Sequence, residues 1–363
     1  MPLLAAPTLL VVTPYLAAAN NGNWRTATRW ARLLSPHYRV IVQSAEDPVT
    51  GADRDDAIAM IALHARRSRP AIAAWREARP DRALIVALTG TDLYKDLPAG
   101  DADTRASIAE ADRLIVLQDD APNFVPREDR GKTDVVFQSA RALAPWCRKR
   151  EDRLHCILVA HLRPEKDPAT VFAAWRALSA ELPIFLTIIG DALDAALGDA
   201  ACALAATDSR VRWLGPRPHA RTRQAIKRAH LLLCPSRLEG GANVVVEAIT
   251  AGTPVIGSLM SGNVGMLGDD YGGYFPVGEA AALAQLLARV WKNPALHDAL
   301  ASQCLRRSAR FTPVAERAAL ALSLTHALAG RNDAIDTVSD RRHGSTRTPP
   351  RIIFRPQSRQ LRR

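Results

Sequence analysis

The chain is poor in paired cysteines. Its 363 residues include five, at positions 147, 156, 202, 234 and 304, and none stands in a C-x-x-C pair or at metal-ligand spacing from a histidine. That scatter excludes a disulfide framework. It implies a reducing compartment in which the thiols serve as small buried apolar groups. No G-x-G-x-x-G follows the first apolar run, which counts against a nicotinamide dehydrogenase. Residues 1–24 carry no side-chain charge, but they also lack a basic n-region, and Pro2, Pro7 and Pro14 interrupt any long helix. A secretory leader or membrane anchor is therefore disfavoured. A buried first strand, Thr8–Val12, and a cytoplasmic protein are expected instead. No repeat of 20–50 residues is present.

Hydrophobic residues make up 48% and charged residues 23% of the chain, the balance of a soluble globular protein long enough for two cores. The net charge of +11 is unevenly distributed. Nine Arg and three Asp lie between Arg331 and Arg363, so that stretch carries +6 and the body +5. Low apolar content and a Pro-Pro pair predict a disordered tail over 331–363. An arm for nucleic acid or acidic membrane is one reading of it, a weakly constrained terminal extension another. The latter is favoured, so neither a nucleic-acid partner nor stable membrane insertion is expected. Oligomeric state leaves no signal.

Short apolar runs alternate with helical patterns throughout. The first series is Thr8–Val12, Val40–Gln43, Ala57–Leu63, Leu84–Leu88, Leu114–Leu117 and Val135–Phe137. The second is His155–Ala160, Ile184–Ile189, Val211–Leu214, Leu231–Cys234 and Pro254–Ser258. Near-continuous apolar strands separated by helices indicate parallel sheets covered on both faces. The expectation is an α/β chain with a Rossmann-like domain over 1–140, a polar and basic hinge over 141–153, and a second Rossmann-like domain over 154–330.

In open α/β sheets ligands bind beyond the carboxyl ends of strands, so the residues after each strand carry the functional signal. The most informative are Arg237–Glu247, R-L-E-G-G-A-N-V-V-V-E. Glu239 and Glu247 lie on either side of a Gly-Gly turn between an apolar run and a helical one. Glycine lets backbone approach a phosphate, and the N–H groups of a first helical turn point at it. Such an arrangement suits a diphosphate between two hydroxyl-rich groups, as in a nucleotide sugar. Glutamates near a helix start also simply offset its dipole, and for Glu247 alone the two readings weigh about equally. Arg163 and Lys166, after another strand in H-L-R-P-E-K-D-P, are positioned to neutralise the diphosphate. A glycine-rich segment from Gly257 to Gly278 is expected as a further loop at that edge.

In the first half, the loop holding Gly22 and Asn23 suits a ligand-contacting turn or a plain strand–helix connection. Trp24, Ala27, Ala31 and Leu34 follow it with core spacing. His64, Arg66 and Arg67 follow a strand, and with Arg25 they are candidates for an anionic acceptor; a solvated helix face is the alternative. Thr91 and Asp92 lie in a small polar turn, Asp92 being a base, an acceptor or a helix cap. Asp101 and Asp103 match a D-x-D metal motif superficially. Helix N-terminal carboxylates explain them better, and no metal is expected.

H-L-R-P-E-K-D-P and S-R-L-E-G-G-A-N-V-V-V-E-A resemble the donor domain of the GT-B glycosyltransferases with an E-x7-E motif, and the likeness spans roughly 8–325. The resemblance implies two Rossmann-like domains with parallel sheets facing across an interdomain cleft. It also implies that Glu247 takes the nucleotide ribose and Glu239 the donor sugar. The diphosphate would fall to Arg163, Lys166 and the backbone of Gly240, Gly241, Ala242 and Asn243, with Gly22 and Asn23 closing from the first domain. A narrower resemblance, carried by N-G-N-W-R-T-A-T-R-W-A-R-L-L, L-H-A-R-R-S, L-T-G-T-D-L-Y and N-V-G-M-L-G-D-D-Y-G-G-Y-F-P-V-G-E, is to the selenosugar synthases of selenoneine biosynthesis. Ordinary relatives usually carry a Pro-Glu pair where this chain has Asn263-Val264-Gly265-Met266. That likeness implies transfer of a sugar from a UDP-sugar to selenophosphate; the alternative is an ordinary glycosyltransferase that moves a hexose from a nucleotide sugar to a glycan, lipid or small-molecule alcohol. Glu239, Arg163, Lys166 and His64 would then be the catalytic set, and no cofactor would be required beyond the small-molecule substrates.

Overall fold

The computed structural model describes residues 6–14, 22–52, 54–144, 146, 149–329 and 352–354. It divides into two compact units. One takes the described residues up to Leu117, Ala121–Phe137 and those from Val314 onward; the other takes Gln118–Asp120 and Gln138–Pro313.

The first unit begins with β1 (Thr8–Thr13), α1 (Gly22–Leu34), β2 (Arg39–Ser44), β3 (Ala57–Leu63), α2 (Arg69–Ala78), β4 (Ala83–Ala87), α3 (Ala102–Glu110), β5 (Arg113–Val116) and β6 (Thr133–Val135). Successive strand side chains point to opposite faces, and here both faces are buried. Leu10, Val12, Met60, Leu84 and Val86 pack on one side with Ile72 and Trp75 of α2. Leu9, Val11, Ile61, Ile85 and Ile115 pack on the other with Ala27, Trp30, Ala31 and Leu34 of α1. Double burial explains why these strands read as continuous apolar runs.

The second unit holds β7 (Leu154–Val159), α4 (Pro168–Ala177), β8 (Ile184–Ile189), α5 (Ala195–Thr207), β9 (Val211–Trp213), α6 (His219–Arg228), β10 (Leu231–Cys234), α7 (Asn243–Ile249), β11 (Val255–Ser258), α8 (Ser261–Leu267), β12 (Tyr274–Phe275), α9 (Ala280–Lys292) and α10 (Pro294–Arg307). Its sheet runs β12-β11-β10-β7-β8-β9 with every pair parallel. This is the doubly wound order of a dinucleotide-binding fold. The segment from Gly257 to Gly278, expected as a loop, contains α8 and β12. Its glycines sit where helix and strand approach neighbours closely.

The chain then returns to the first unit through α11 (Pro313–Ala329) and β13 (Ile352–Phe354). Leu320, Leu324, Ala327 and Leu328 of α11 pack into the α1 side of the first core. Glu316, 1% exposed, accepts from Trp30 Nε1 at 2.7 Å and Arg29 Nε at 2.9 Å. Residues 314–329, expected in the second domain, thus complete the first. β13 pairs in parallel with β2 and gives the sheet order β13-β2-β1-β3-β4-β5-β6. A strand therefore occurs at 352–354, inside the segment expected to be disordered; 330–351 and 355–363 lie outside the described residues. Cys156, Cys234 and Cys304 are buried thiols as expected, whereas Cys202 is exposed on α5 and Cys147 lies outside the described residues. No helix among the described residues is long and apolar enough to cross a membrane.

Three histidines gather at the amino ends of β7 and β10. His230 Nδ1 accepts from the His155 backbone N–H at 2.9 Å, His297 Nε2 donates to the His230 carbonyl at 3.1 Å, and His155 Nε2 meets Thr187 Oγ1 at 2.8 Å. Burial, reinforced by Lys149 and His297, lowers the His230 pKa to about 4, and burial also lowers that of His155. The fold therefore holds His230 neutral, whereas an unfolded histidine ionises near pH ~6.5. Stability should be complete above that pH and fall as the pH drops toward about 4, because the unfolded chain takes up the proton first. Thermal melts at pH 7.5 and 4.5 should show the wild type losing more stability on acidification than His230→Gln; equal losses would refute the assignment.

Candidate functional site

β7 and β10 are neighbours in the second sheet, yet their connections lead away to β8 on one side and β11 on the other. That reversal is a topological switch point. The crevice beyond the carboxyl ends of two such strands is where open α/β sheets bind ligands. The loops leaving these strands are H-L-R-P-E-K-D-P and S-R-L-E-G-G-A, so the two segments singled out by sequence emerge side by side.

The first loop is shaped by its prolines and one unusual residue. Arg163 is extended, Pro164–Lys166 form a single tight turn, and Asp167 adopts left-handed geometry at φ 47°. Asp is among the few side chains that tolerate this region. Asp167 Oδ2 accepts from Thr170 Oγ1 at 2.8 Å and pairs with Arg237 Nε at 3.0 Å. The Arg237 backbone N–H donates to the Glu165 carbonyl at 2.9 Å. Asp167 thereby stitches the two loops together. Sequence reading passed over it, because an Asp before a helix-starting Pro is indistinguishable from an ordinary cap.

Lys166 Nζ makes a very close ion pair with Glu239 Oε1, and Ser236 Oγ donates to the same oxygen at 2.7 Å. Glu239 is 7% exposed. Its second oxygen, Oε2, has no hydrogen-bond donor among the described residues. Beneath it lies a polar floor. Ser258 Oγ donates to the Ser236 carbonyl at 2.5 Å, and Asn263 Nδ2 donates to the Ser258 and Cys234 carbonyls at 2.9 and 3.2 Å. The Cys234 thiol, raised to about pKa 12 by burial, donates to Asn263 Oδ1 at 3.3 Å. Asn263 is thus fully buried and ties β10, β11 and α8 together.

Eight positions on, Glu247 of α7 is 8% exposed. Its Oε1 meets His219 Nε2 at 2.6 Å; Oε2 has no donor among the described residues. The buried Arg223 guanidinium feels the charge of Glu247 while donating to the Arg141 carbonyl at 2.9 Å and Thr250 Oγ1 at 3.2 Å. Between the two acids run Gly240, Gly241, Ala242 and Asn243; Ala242 precedes α7 and offers no side-chain cap. Arg163 is half exposed, and among the described residues its acidic neighbour is Glu165 at 3.9 Å. Its guanidinium is open to solvent.

The remaining candidates belong to the first unit, and the structure sorts them. Gly22 and Asn23 form the first turn of α1 rather than a loop; Ala19–Asn21 lie outside the described residues. Ala27, Ala31 and Leu34 are buried in the core with Trp24 packed against it, as their spacing predicted. His64 sits at the end of β3 with φ 73° and 2% exposure. The Arg67 backbone N–H donates to its Nδ1 at 3.3 Å, which leaves the proton on Nε2, 2.8 Å from Thr91 Oγ1. With both nitrogens engaged, His64 orients Thr91 and is not placed as a free base. Asp92 is fully buried and accepts from the backbone N–H groups of Ala65, Thr89, Gly90 and Leu93 at 2.8–3.1 Å. It organises this loop and is closed to solvent. Arg66 pairs with Asp96 at 3.1 Å and Asp101 at 3.2 Å, whereas Arg67 is exposed and Arg25 half-buried. Asp101 also caps α3, accepting from the Thr104 N–H at 2.8 Å, the role expected of it.

Gly262 lies tightly against Glu239. A Cβ on it would lie 2.2 Å from the Glu239 carbonyl oxygen and 2.8 Å from the Glu239 Cβ. Gly262→Ala should therefore displace the Glu239 turn, costing about 1–3 kcal/mol by overpacking and weakening ligand binding. Chemical denaturation and ligand titration check this, and an unchanged variant would contradict the contact.

Residues 147–306 match the family described as Glycosyl transferases group 1. The D-inositol 3-phosphate glycosyltransferase of Mycobacteroides abscessus is 27% identical over 271 residues, 69% of this chain and 58% of that protein. Its counterpart from Salinispora arenicola is 28% identical over 236 residues, 56% and 52% of the two chains. The chain thus spans little more than half the length of these curated relatives. Among solved structures, sucrose-phosphate synthase from Thermosynechococcus elongatus superposes with a TM-score of 0.72 at 16% identity, covering 89% of this chain and 100% of that one. HepE of Anabaena, solved in complex with UDP and glucose, gives 0.69 at 16% identity, covering 88% and 99%. At such identities the likeness is one of fold. The described chain has the α/β architecture of the GT-B glycosyltransferases, and residues 147–306 are similar to the group 1 glycosyl transferases.

Proposed function

We propose that this protein transfers a sugar from a nucleotide donor, a UDP-sugar, and that its acceptor is selenophosphate. The observation that carries the donor half is the pair Glu239 and Glu247. Each is nearly buried, each has one oxygen engaged within the second unit, and each offers the other oxygen beside the switch-point crevice. A carboxylate oxygen with no internal donor is an acceptor open to a ligand. Hydroxyl groups suit it, and a nucleotide sugar carries hydroxyls at both ends of its diphosphate. In this reading Glu247 takes the ribose and Glu239 the sugar. Lys166, Arg163 and the backbone from Gly240 to Asn243 stabilise the diphosphate as it departs.

Selenium attacks the anomeric carbon with its own electron pair as the carbon–oxygen bond to the diphosphate breaks. One C–Se bond forms, and UDP leaves with the electron pair of the broken bond. The nucleophile is already anionic, so the reaction makes little demand for a general base. This agrees with the engaged state of His64 and the enclosure of Asp92. Arg25 and Arg67, with Thr91 oriented by His64, are the proposed acceptor groups. Arg66 is neutralised by two aspartates and drops from that set. The named activity of the curated relatives supports a second reading, transfer to a phosphorylated polyol.

Incubation with UDP-glucose or UDP-N-acetylglucosamine and, in turn, selenophosphate, thiophosphate or inositol phosphate should yield, by mass spectrometry, a selenium-bearing sugar in the selenophosphate reaction. A product with inositol phosphate alone selects the second reading, and no UDP release with any acceptor rejects both. Lys166→Ala should cut turnover by about 10²–10³-fold, whereas Arg67→Ala should mainly raise the acceptor KM.

A further inference from the structure

His219 is the first residue of α6, reached from β9 through Gly215–Pro218, and so stands at the carboxyl edge of the second sheet. Its side chain is 53% exposed, while that of Glu247 is only 11% exposed. A carboxylate oxygen accepts only, so the short 2.6 Å contact places the proton on Nε2 and makes His219 the donor. Nδ1 has no partner among the described residues and faces outward. Glu247 Oε1 is thereby occupied. The rotation of the carboxyl group is fixed, and Oε2 is the oxygen left to a ligand. The hydrogen bonds of Arg223 go to the Arg141 carbonyl and Thr250 rather than to Glu247.

We propose that His219 is a positioning residue for the nucleoside end of the donor. By donating Nε2–H to Glu247 Oε1, it presents Glu247 Oε2 to the ribose hydroxyls. The proposal rests on the assignment of Glu247 to the ribose. It assigns to α6, a helix with no part in the glycine turn or the cationic loop, a share in ribose recognition. Removing the imidazole frees the carboxyl group to rotate and rehydrate, so the hydroxyl contact must be organised at binding, at a cost in affinity. Glutamine places an amide N–H near the position of Nε2 and should restore the hold.

The test is calorimetric titration of the full chain with UDP and with 2′,3′-dideoxy-UDP, which lacks the hydroxyls at issue. Wild type should bind UDP well and the dideoxy analogue more weakly. His219→Ala should weaken UDP about tenfold, the scale of one hydrogen bond to a charged group, while leaving the dideoxy analogue within about twofold of wild type. His219→Gln should recover most of the UDP affinity. A merely structural role would weaken both ligands alike, and that result overturns the proposal, as does a His219→Gln variant no better than His219→Ala. Should Glu247→Gln lose its preference for UDP while His219→Ala binds like wild type, the ribose assignment stands and the His219 role falls. Absence of UDP binding by wild type would overturn the donor reading and this proposal together.

Discussion

The second unit is organised around one ion pair, Lys166 with Glu239. A carboxylate at 7% exposure is expensive unless its charge is met. Lys166 meets it because the loop bends at Pro164 before it and at left-handed Asp167 after it. Asp167 in turn is held by Arg237, two residues before Glu239, so the loops fix each other. Ser236, on the same turn, shares the engaged oxygen. Removing any one of these would leave a buried charge or a loose loop, which is why the local geometry is so tightly determined.

Both acids of the glycine turn obey the same rule. Each gives one oxygen to an internal donor, and the other has no donor among the described residues. The donors differ in kind. Glu239 is met by a lysine from the loop after β7, which also carries charge suited to a diphosphate. Glu247 is met by an imidazole at a helix start, a neutral or cationic donor that fixes orientation. The Asn263 floor belongs to this scheme. Its fully satisfied amide network supports the helix whose Gly262 lies against the Glu239 backbone.

In the first unit polar groups are spent on construction. Asp92 collects four backbone N–H donors, His64 spends both ring nitrogens, and Arg66 joins two aspartates. Glu316 binds Arg29 and Trp30, which locks the returning helix onto α1. His64, with its ring held by Thr91 and the Arg67 backbone, belongs to that construction.

Much was legible in the sequence because it is local. Eleven expected strands are present, since a buried parallel strand must be an apolar run bounded by breakers; the two short edge strands, Tyr274–Phe275 and Ile352–Phe354, are too brief to announce themselves. The Gly-Gly turn and the Asp101 cap follow from backbone chemistry within a few residues. Only the tertiary structure decided the rest. An apolar helical stripe does not say which sheet it covers, so 314–329 went to the wrong domain until the Glu316 pairing, 286 residues from Trp30, revealed its place. Nor does a charge announce its partner. Asp167 with Arg237, Glu247 with His219, and Arg66 with its two aspartates are pairings across loops and helices. Hydrogen-bond geometry is set by the whole fold, and residue order alone does not contain it.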